Sequence, residues 1–197
     1  MVPCSGSRLA VLLVPVLLAS ACSGVGEAEV KAKQMNLELE WTLTVDHDRL
    51  RVDYTVHNKT ASSVVLLDQL LVKDMPDPDA IIVKNGDAAK TVAFTRAWVR
   101  TNEKVLVTPF PVARSLAAGA SAKGTAFVPL PLRAWHNYSK VPPLSGDATT
   151  AVLEIGYLED PHTKLVDQKV AGGVVKRAVE MAKQKILRGA PLQLPKP

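Results

Sequence analysis

Between Leu37 and Asn58 apolar and polar residues alternate. Leu37, Leu39, Trp41, Leu43 and Val45 fall on one phase, and Glu38, Glu40, Thr42 and Thr44 on the other. Successive side chains of a strand point to opposite faces, so this separation predicts a strand with one face in a core and one in water. Leu50, Val52, Tyr54 and Val56 stand in the same relation to Arg51, Asp53, Thr55 and His57. The polar Asp46-His47-Asp48 between the two runs predicts a turn, so residues 37–58 read as a β-hairpin.

After the turn-rich Asn58–Ser63 comes Val64-Val65-Leu66-Leu67, a continuous apolar run that suits a strand covered on both faces. Met75-Pro76-Asp77-Pro78-Asp79 breaks the pattern. Strands are expected at Ala80–Val83 and Val92–Val99, on either side of the turn signal Asn85-Gly86-Asp87. Further strands are expected at Lys104–Thr108, Thr125–Leu130 and Ala151–Tyr157. About seven or eight short strands at this spacing predict a mainly β fold, an antiparallel sandwich. Towards the C-terminus Val174, Val175, Ala178, Val179, Met181, Ala182, Ile186 and Leu187 recur at helical spacing. An amphipathic helix over Val174–Arg188 is therefore expected, hinged at Gly172-Gly173 and stopped by Gly189 and Pro191. Its lysines and arginines suit either an anionic surface or a helix packed on a sheet face, and packing is favoured. The proline-rich tail 191–197 reads as extended.

Two stretches carry a resemblance. Val56-His57-Asn58-Lys59-Thr60 and Leu116-Ala117-Ala118-Gly119-Ala120-Ser121 resemble the x-V-x-N-x-T and L-x-x-G-x-S stretches of immunoglobulin-like modules of bacterial envelopes. The resemblance implies an Ig-like sandwich over residues 34–160 and brings no function with it.

The first residues give an address. A short head with the single cation Arg8 precedes the apolar run Leu9–Leu18. That run is too short to span a bilayer, which takes about 20 apolar residues, and it has the layout of an export signal over residues 1–21. Leu18-Ala19-Ser20-Ala21-Cys22 resembles the lipobox of bacterial lipoproteins, with Ala19 where that family usually has leucine. The resemblance implies cleavage before Cys22, acylation of that cysteine and anchoring in a lipid bilayer of the cell envelope. Ser23, in place of aspartate, resembles the enteric signal for outer-membrane sorting. Residues 22–33 then form a polar tether.

Composition narrows the chemistry. The chain has 197 residues, of which 47% are hydrophobic, enough for a real core. Its only cysteines are Cys4 and Cys22, so nothing downstream is stapled by a disulfide and no cysteine-based metal cluster exists there. The net charge of +5 is spread along the chain, without the arginine-rich run that would argue for nucleic acid. No cofactor is implied, and neither Gly-x-Ser-x-Gly nor HExxH occurs. His47 and His162 sit in expected turns, and His57 lies on the polar phase of its strand. Asp74, Asp77 and Asp79 offer oxygen ligands but lack the glycine and distal glutamate of an EF-hand loop, so a solvated loop is the better reading. The segment Pro129–Pro143 concentrates Arg133, Trp135, His136 and Tyr138 between prolines. Those residue types supply binding hot spots, so these four are the candidate contact residues for a protein or glycan partner. The sequence thus favours a non-catalytic, lipid-anchored binding or structural domain. Two alternatives are a hydrolase whose site is assembled from loops and an accessory spacer of an envelope assembly.

Overall fold

The structure, a computed structural model, describes residues 37–99, 110–134 and 144–195. Among them the fold is mainly β, with no α-helix. The strands are β1 (Leu37–Asp46), β2 (Arg49–Asn58), β3 (Val64–Val72), β4 (Met75–Asp77), β5 (Ile82–Asn85), β6 (Thr91–Arg96), β7 (Phe110–Leu116), β8 (Ser121–Pro129), β9 (Thr150–Leu158), β10 (Leu165–Val170), β11 (Gly173–Ala178), β12 (Lys185–Arg188) and β13 (Leu192–Gln193).

The hairpin read from the period-two pattern is β1–β2, in register from Leu37↔Asn58 to Asp46↔Arg49, and β8 joins it antiparallel. The remaining large sheet is mixed, which corrects the expectation of purely antiparallel pairing. Its hub is β9, which runs parallel to β6 over Thr150–Ile155 and then antiparallel to β3 over Gly156–Leu158. Gly156 and Tyr157 also pair with β12, so β3 takes the side of β9 that β6 has vacated.

Leu50, Val52, Tyr54 and Val56 of β2 face Leu66, Phe94, Leu153 and Ile155 of the large sheet in one buried core. Each fully buried side chain of this size contributes about 1.5–3 kcal/mol. The other phase of β3, Val65 and Leu67, belongs to a second buried cluster with Ala113, Leu158, Ala178 and Met181. Val64–Leu67 is thus covered on both faces, as its continuous apolar run predicts.

What covers the second face is not the expected helix. Residues 165–178 form the hairpin β10–β11, followed by a 3-10 turn at Met181–Lys183 and then β12. Val174, Val175, Val179 and Ile186 are β-branched, a type that loses rotamer freedom in a helix and fits a pleated strand. Gly172, at φ 99°, lies in the hairpin turn with Ala171, and Gly173, at φ 146°, opens β11, so the pair is not a hinge. Gly189 and Pro191 stop no helix. They separate β12 from β13, which both pair with β9. At Gly189 a Cβ would lie 2.5 Å from the Trp41 indole, whose Nε1–H donates to Ala190 O at 2.8 Å. β1 is joined there to the link between β12 and β13 by a contact that a side chain at position 189 would obstruct. The expected strand at Lys104–Thr108 lies outside the described residues.

Buried polar groups clasp the layers. Asn58, 1% exposed, donates from Nδ2 to Ser62 O, Leu116 O and Ala117 O at 2.9–3.0 Å. Its Oδ1 accepts from Thr60 N–H and Oγ1–H. Gly119, at φ 70°, donates its N–H to Asn58 O. The two stretches that carried the immunoglobulin-like resemblance are thus bonded to one another. Arg96, also 1% exposed, donates to Ala80 O, Pro78 O, Asp68 O, Thr125 O and the Tyr54 hydroxyl. Tyr54 crosses Gly124 to reach this cluster, and a Cβ at position 124 would lie 2.2 Å from its Oη. Burial and the neighbouring Asp68 charge push the Tyr54 phenol up to about 12. On the outer face of the large sheet Glu154 accepts from Thr95 Oγ1 at 2.9 Å, Lys84 Nζ at 2.9 Å and Arg188 Nε at 3.1 Å. Burial raises its pKa, but these three donors outweigh burial and hold it below 4.5.

Two stability outcomes follow from these clasps. Asn58→Asp keeps the shape but turns a carboxylate on the carbonyls of Leu116 and Ala117, so urea unfolding at neutral pH should show a loss of about 2–3 kcal/mol. That loss should shrink in acid, where the side chain regains a proton to donate. For Glu154, a depressed native pKa means that its contribution is present above the unfolded value of 4.5 and fades as pH falls through the native one. Glu154→Gln should therefore lower the melting temperature at neutral pH and reduce the parent's further drop below about pH 4.5, read by calorimetry across pH.

Candidate functional site

The period-two alternation that builds the core also builds a polar face on the other side of β1–β2–β8. Register sets its rows. His57 lies between Glu38 and Ser121, Thr55 between Glu40 and Lys123, and Asp53 between Thr42 and Thr125. The next row is Thr44, Arg51 and Phe127. Short side chains fill the centre while long ones stand at both ends, and the result is a shallow hollow of about 510 Å³. Its polar walls are Glu40, Thr42, Asp53, Thr55, Lys123 and Thr125.

Most charges on this face are already paired. Arg51 holds Asp53 at 2.8 Å, Arg49 holds Asp46 at 3.0 Å and Lys59 holds Glu38 at 2.5 Å. Arg49 also lies 3.9 Å above the Phe127 ring, a cation–π contact. Burial lifts the Asp53 carboxyl, but hydrogen bonds from Thr125 and Arg51 outweigh it and hold the group below the ordinary range. Lys123 is the cation of this face that makes no ion pair among the described residues. The hollow therefore offers hydroxyls, two carboxylates and one available ammonium.

At one end of the face His57 Nδ1 and Ser121 Oγ are 2.7 Å apart, and His57 Nε2 lies 3.6 Å from Glu40 Oε2. These residues are far apart in sequence, and strand pairing alone brings them together. A serine, a histidine and a carboxylate in line have the elements of nucleophile activation. The setting does not complete it. Glu40 is 74% exposed and beyond hydrogen-bond reach of the ring, on an open sheet face that does not exclude water.

Of the residues singled out in sequence, Arg133 is exposed beyond the end of β8. Cys22, Trp135, His136 and Tyr138 lie outside the described residues. His47 occupies the β1–β2 turn at φ 58°, bonded to Asp46, and His162 N–H donates to Asp160 in another turn. Asp77 Oδ1 accepts from the backbone of Asp79 and Ala80, so that carboxylate shapes its own loop. Among the described residues no group of three or more histidine, cysteine, aspartate or glutamate side chains is placed to hold a metal. The polar hollow itself was not read from sequence. Its only sequence signal was the polar phase of β1 and β2, and β8's contribution needed the register.

Fold and face together define a mainly β domain with one polar, hydroxyl-rich sheet surface. Comparison with protein families, with characterised proteins and with solved structures returns no match for this chain.

The His57–Ser121 pair has a direct chemical test. A fluorophosphonate probe, which labels activated serines, should leave Ser121 unmodified at concentrations that saturate a true serine hydrolase. Labelling that disappears in both Ser121→Ala and His57→Ala would instead make this end of the face catalytic.

Proposed function

We propose that this protein is a lipid-anchored component of a bacterial cell envelope whose Ig-like β-sandwich binds a partner without catalysing a reaction. The observation that carries the anchor is Leu18-Ala19-Ser20-Ala21-Cys22 at the end of a short apolar run. Two acyl chains on Cys22 hold a domain at a membrane, since each buried CH₂ contributes about 0.8 kcal/mol. Ser23 favours the outer membrane in an enteric-type envelope. No helix among the described residues is long and apolar enough to cross a membrane, so attachment in this reading comes from the N-terminal lipid. The Ig-like assignment draws support from two sheets sharing one core and from the Asn58 clasp between the resembling stretches.

The partner in this reading is a glycan or a protein of the envelope. A hollow walled by three threonines, two carboxylates and a lysine that makes no ion pair among the described residues suits hydroxyl-rich or anionic groups better than an apolar ligand. The segment holding Arg133, Trp135, His136 and Tyr138 adds residue types that supply binding hot spots.

Intact-mass spectrometry of the membrane fraction tests the anchor. The expected species begins at Cys22 and carries fatty acid on its thiol and amine, whereas Cys22→Ser yields no acylated form and leaves the membrane. A Cys22→Ser chain that stays processed and membrane-bound like the parent, with no lipid on either, overturns the proposal. For binding, capture of envelope components should fall with Lys123→Glu and with Trp135→Ala. Capture unchanged by both removes these surfaces as contacts.

A further inference from the structure

Strand β1 is one edge of the three-stranded sheet, and hydrogen-bond direction shows what that edge presents. Asn58 N–H donates to Ala120 O and Asn58 O accepts from Gly119 N–H, both on the side away from β1. In an antiparallel pair the N–H and C=O of one residue point the same way and alternate along the strand. The even-numbered residues of β2 therefore serve β8, and the odd-numbered ones serve β1. Through the register Thr42↔Asp53, the even-numbered residues of β1 are used up in that ladder. The N–H and C=O groups of Leu39, Trp41, Leu43 and Val45 point outward, and none meets a backbone partner among the described residues.

The opposite edge is defended. On β8, Phe127 N–H donates to Asp79 O at 3.1 Å, Thr125 O accepts from Arg96 at 2.9 Å, and Pro129 has no N–H. On β1 no proline or bulge interrupts the ten residues, and Val45 at its end is 55% exposed.

We propose that a second copy of this chain occupies the β1 edge, antiparallel to it, about a two-fold axis through Trp41. The sequence of β1 is self-complementary in that register. On the core side Trp41 meets the partner's Trp41, Leu39 meets the partner's Leu43, and the exposed Val45 meets the partner's Leu37. On the water side Glu40 meets the partner's Thr42, and Glu38 meets the partner's Thr44. Every nearby register that keeps the outward groups paired sets carboxylates against each other. Moving the axis to Thr42 opposes Glu38 and Asp46, and moving it to Glu40 opposes that residue to itself. Like charges directly opposite on a sheet are destabilising, so one register is selected. Pairing of this kind is isologous and closes as a dimer. It joins the two polar faces into one continuous surface.

Glu40 and the partner's Thr42 form a pair whose backbones do not bond each other, with a Cα separation of about 4.5 Å, which a disulfide spans. The test uses full chains in which Cys4 and Cys22 are serine. Chains carrying Glu40→Cys are mixed with chains carrying Thr42→Cys and oxidised. Cross-linked dimer is expected from the mixture and not from either chain alone. Adding Val45→Lys, a change at an exposed position that puts a charge beside the apolar seam, should abolish the cross-link while the circular dichroism stays that of the parent. The proposal is overturned if the mixture stays monomeric with both chains folded. It is equally overturned if Thr42→Cys cross-links to itself as readily, or if Val45→Lys leaves the cross-link intact.

Discussion

Arg96 sits where water does not reach. Its N–H groups must find acceptors inside the protein or cost several kcal/mol in lost hydration. They find them on β2, β3, β8 and the loop after β4, at Tyr54, Asp68, Thr125, Pro78 and Ala80. Four segments from two sheets are thus held by one planar, five-donor group whose geometry tolerates little shift. Asp68, fully buried, lends its backbone carbonyl to Arg96, while its carboxylate is held by two donors of Arg114 and by the Tyr54 hydroxyl. Much else follows from where this cluster sits. Gly124 lacks a side chain because Tyr54 passes over it, and the free edge of β8 is closed because its carbonyl and N–H are already taken.

A chain without a cysteine after residue 22 has no covalent way to join its layers. Asn58, Arg96 and Glu154 take that role with hydrogen bonds, each reaching across segments that lie far apart in sequence. Such groups add less net stability than an apolar side chain of equal volume, because they give up water to bond inside. What they supply is discrimination. Apolar packing tolerates a shifted strand, whereas a carbonyl left facing Arg96 or Asn58 at the wrong distance does not. Register matters here more than in most sheets, since it alone assembles the rows of the polar face.

Local pattern carried the parts of this fold whose burial is one-sided. β1 and β2 were legible because each has one wet and one dry face, and β3 because its unbroken apolar run is dry on both. The C-terminal segment failed for a definable reason. Ala178 and Met181 are buried as a helix face would be, but the hairpin's twist and the turn at Met181 bring them together. Spacing near three and four residues therefore arose from a bend between elements. Three valines in the six residues after Gly172-Gly173 favour a strand, and that local preference prevails over the helical spacing. Of residues 174–188 only Ala178 and Met181 join the second buried cluster, while Val174 and Val179 stay exposed. β7 was hidden by Pro111, which a strand tolerates at a sheet margin. The polar hollow was illegible because β8 is 64 residues from β2 at the His57–Ser121 pair, and no local rule joins them.

One sheet thus serves two purposes that constrain each other. Its dry face must match the large sheet, which fixes the even-numbered positions of β2 and β8 as Leu50, Val52, Tyr54, Val56, Ala122, Ala126 and Val128. Its wet face is free of that demand, and there threonine, aspartate, lysine and histidine are held in rows by the backbone beneath them. Because side chains alternate, no residue of the wet face can move without moving a neighbour in the core. The polar surface therefore inherits the rigidity of the apolar one. A recognition surface built this way loses little freedom on binding, since the backbone that carries it is already ordered. That economy is greatest where side chains are short, and the hollow is lined at its centre by Thr42, Asp53, Thr55 and Thr125.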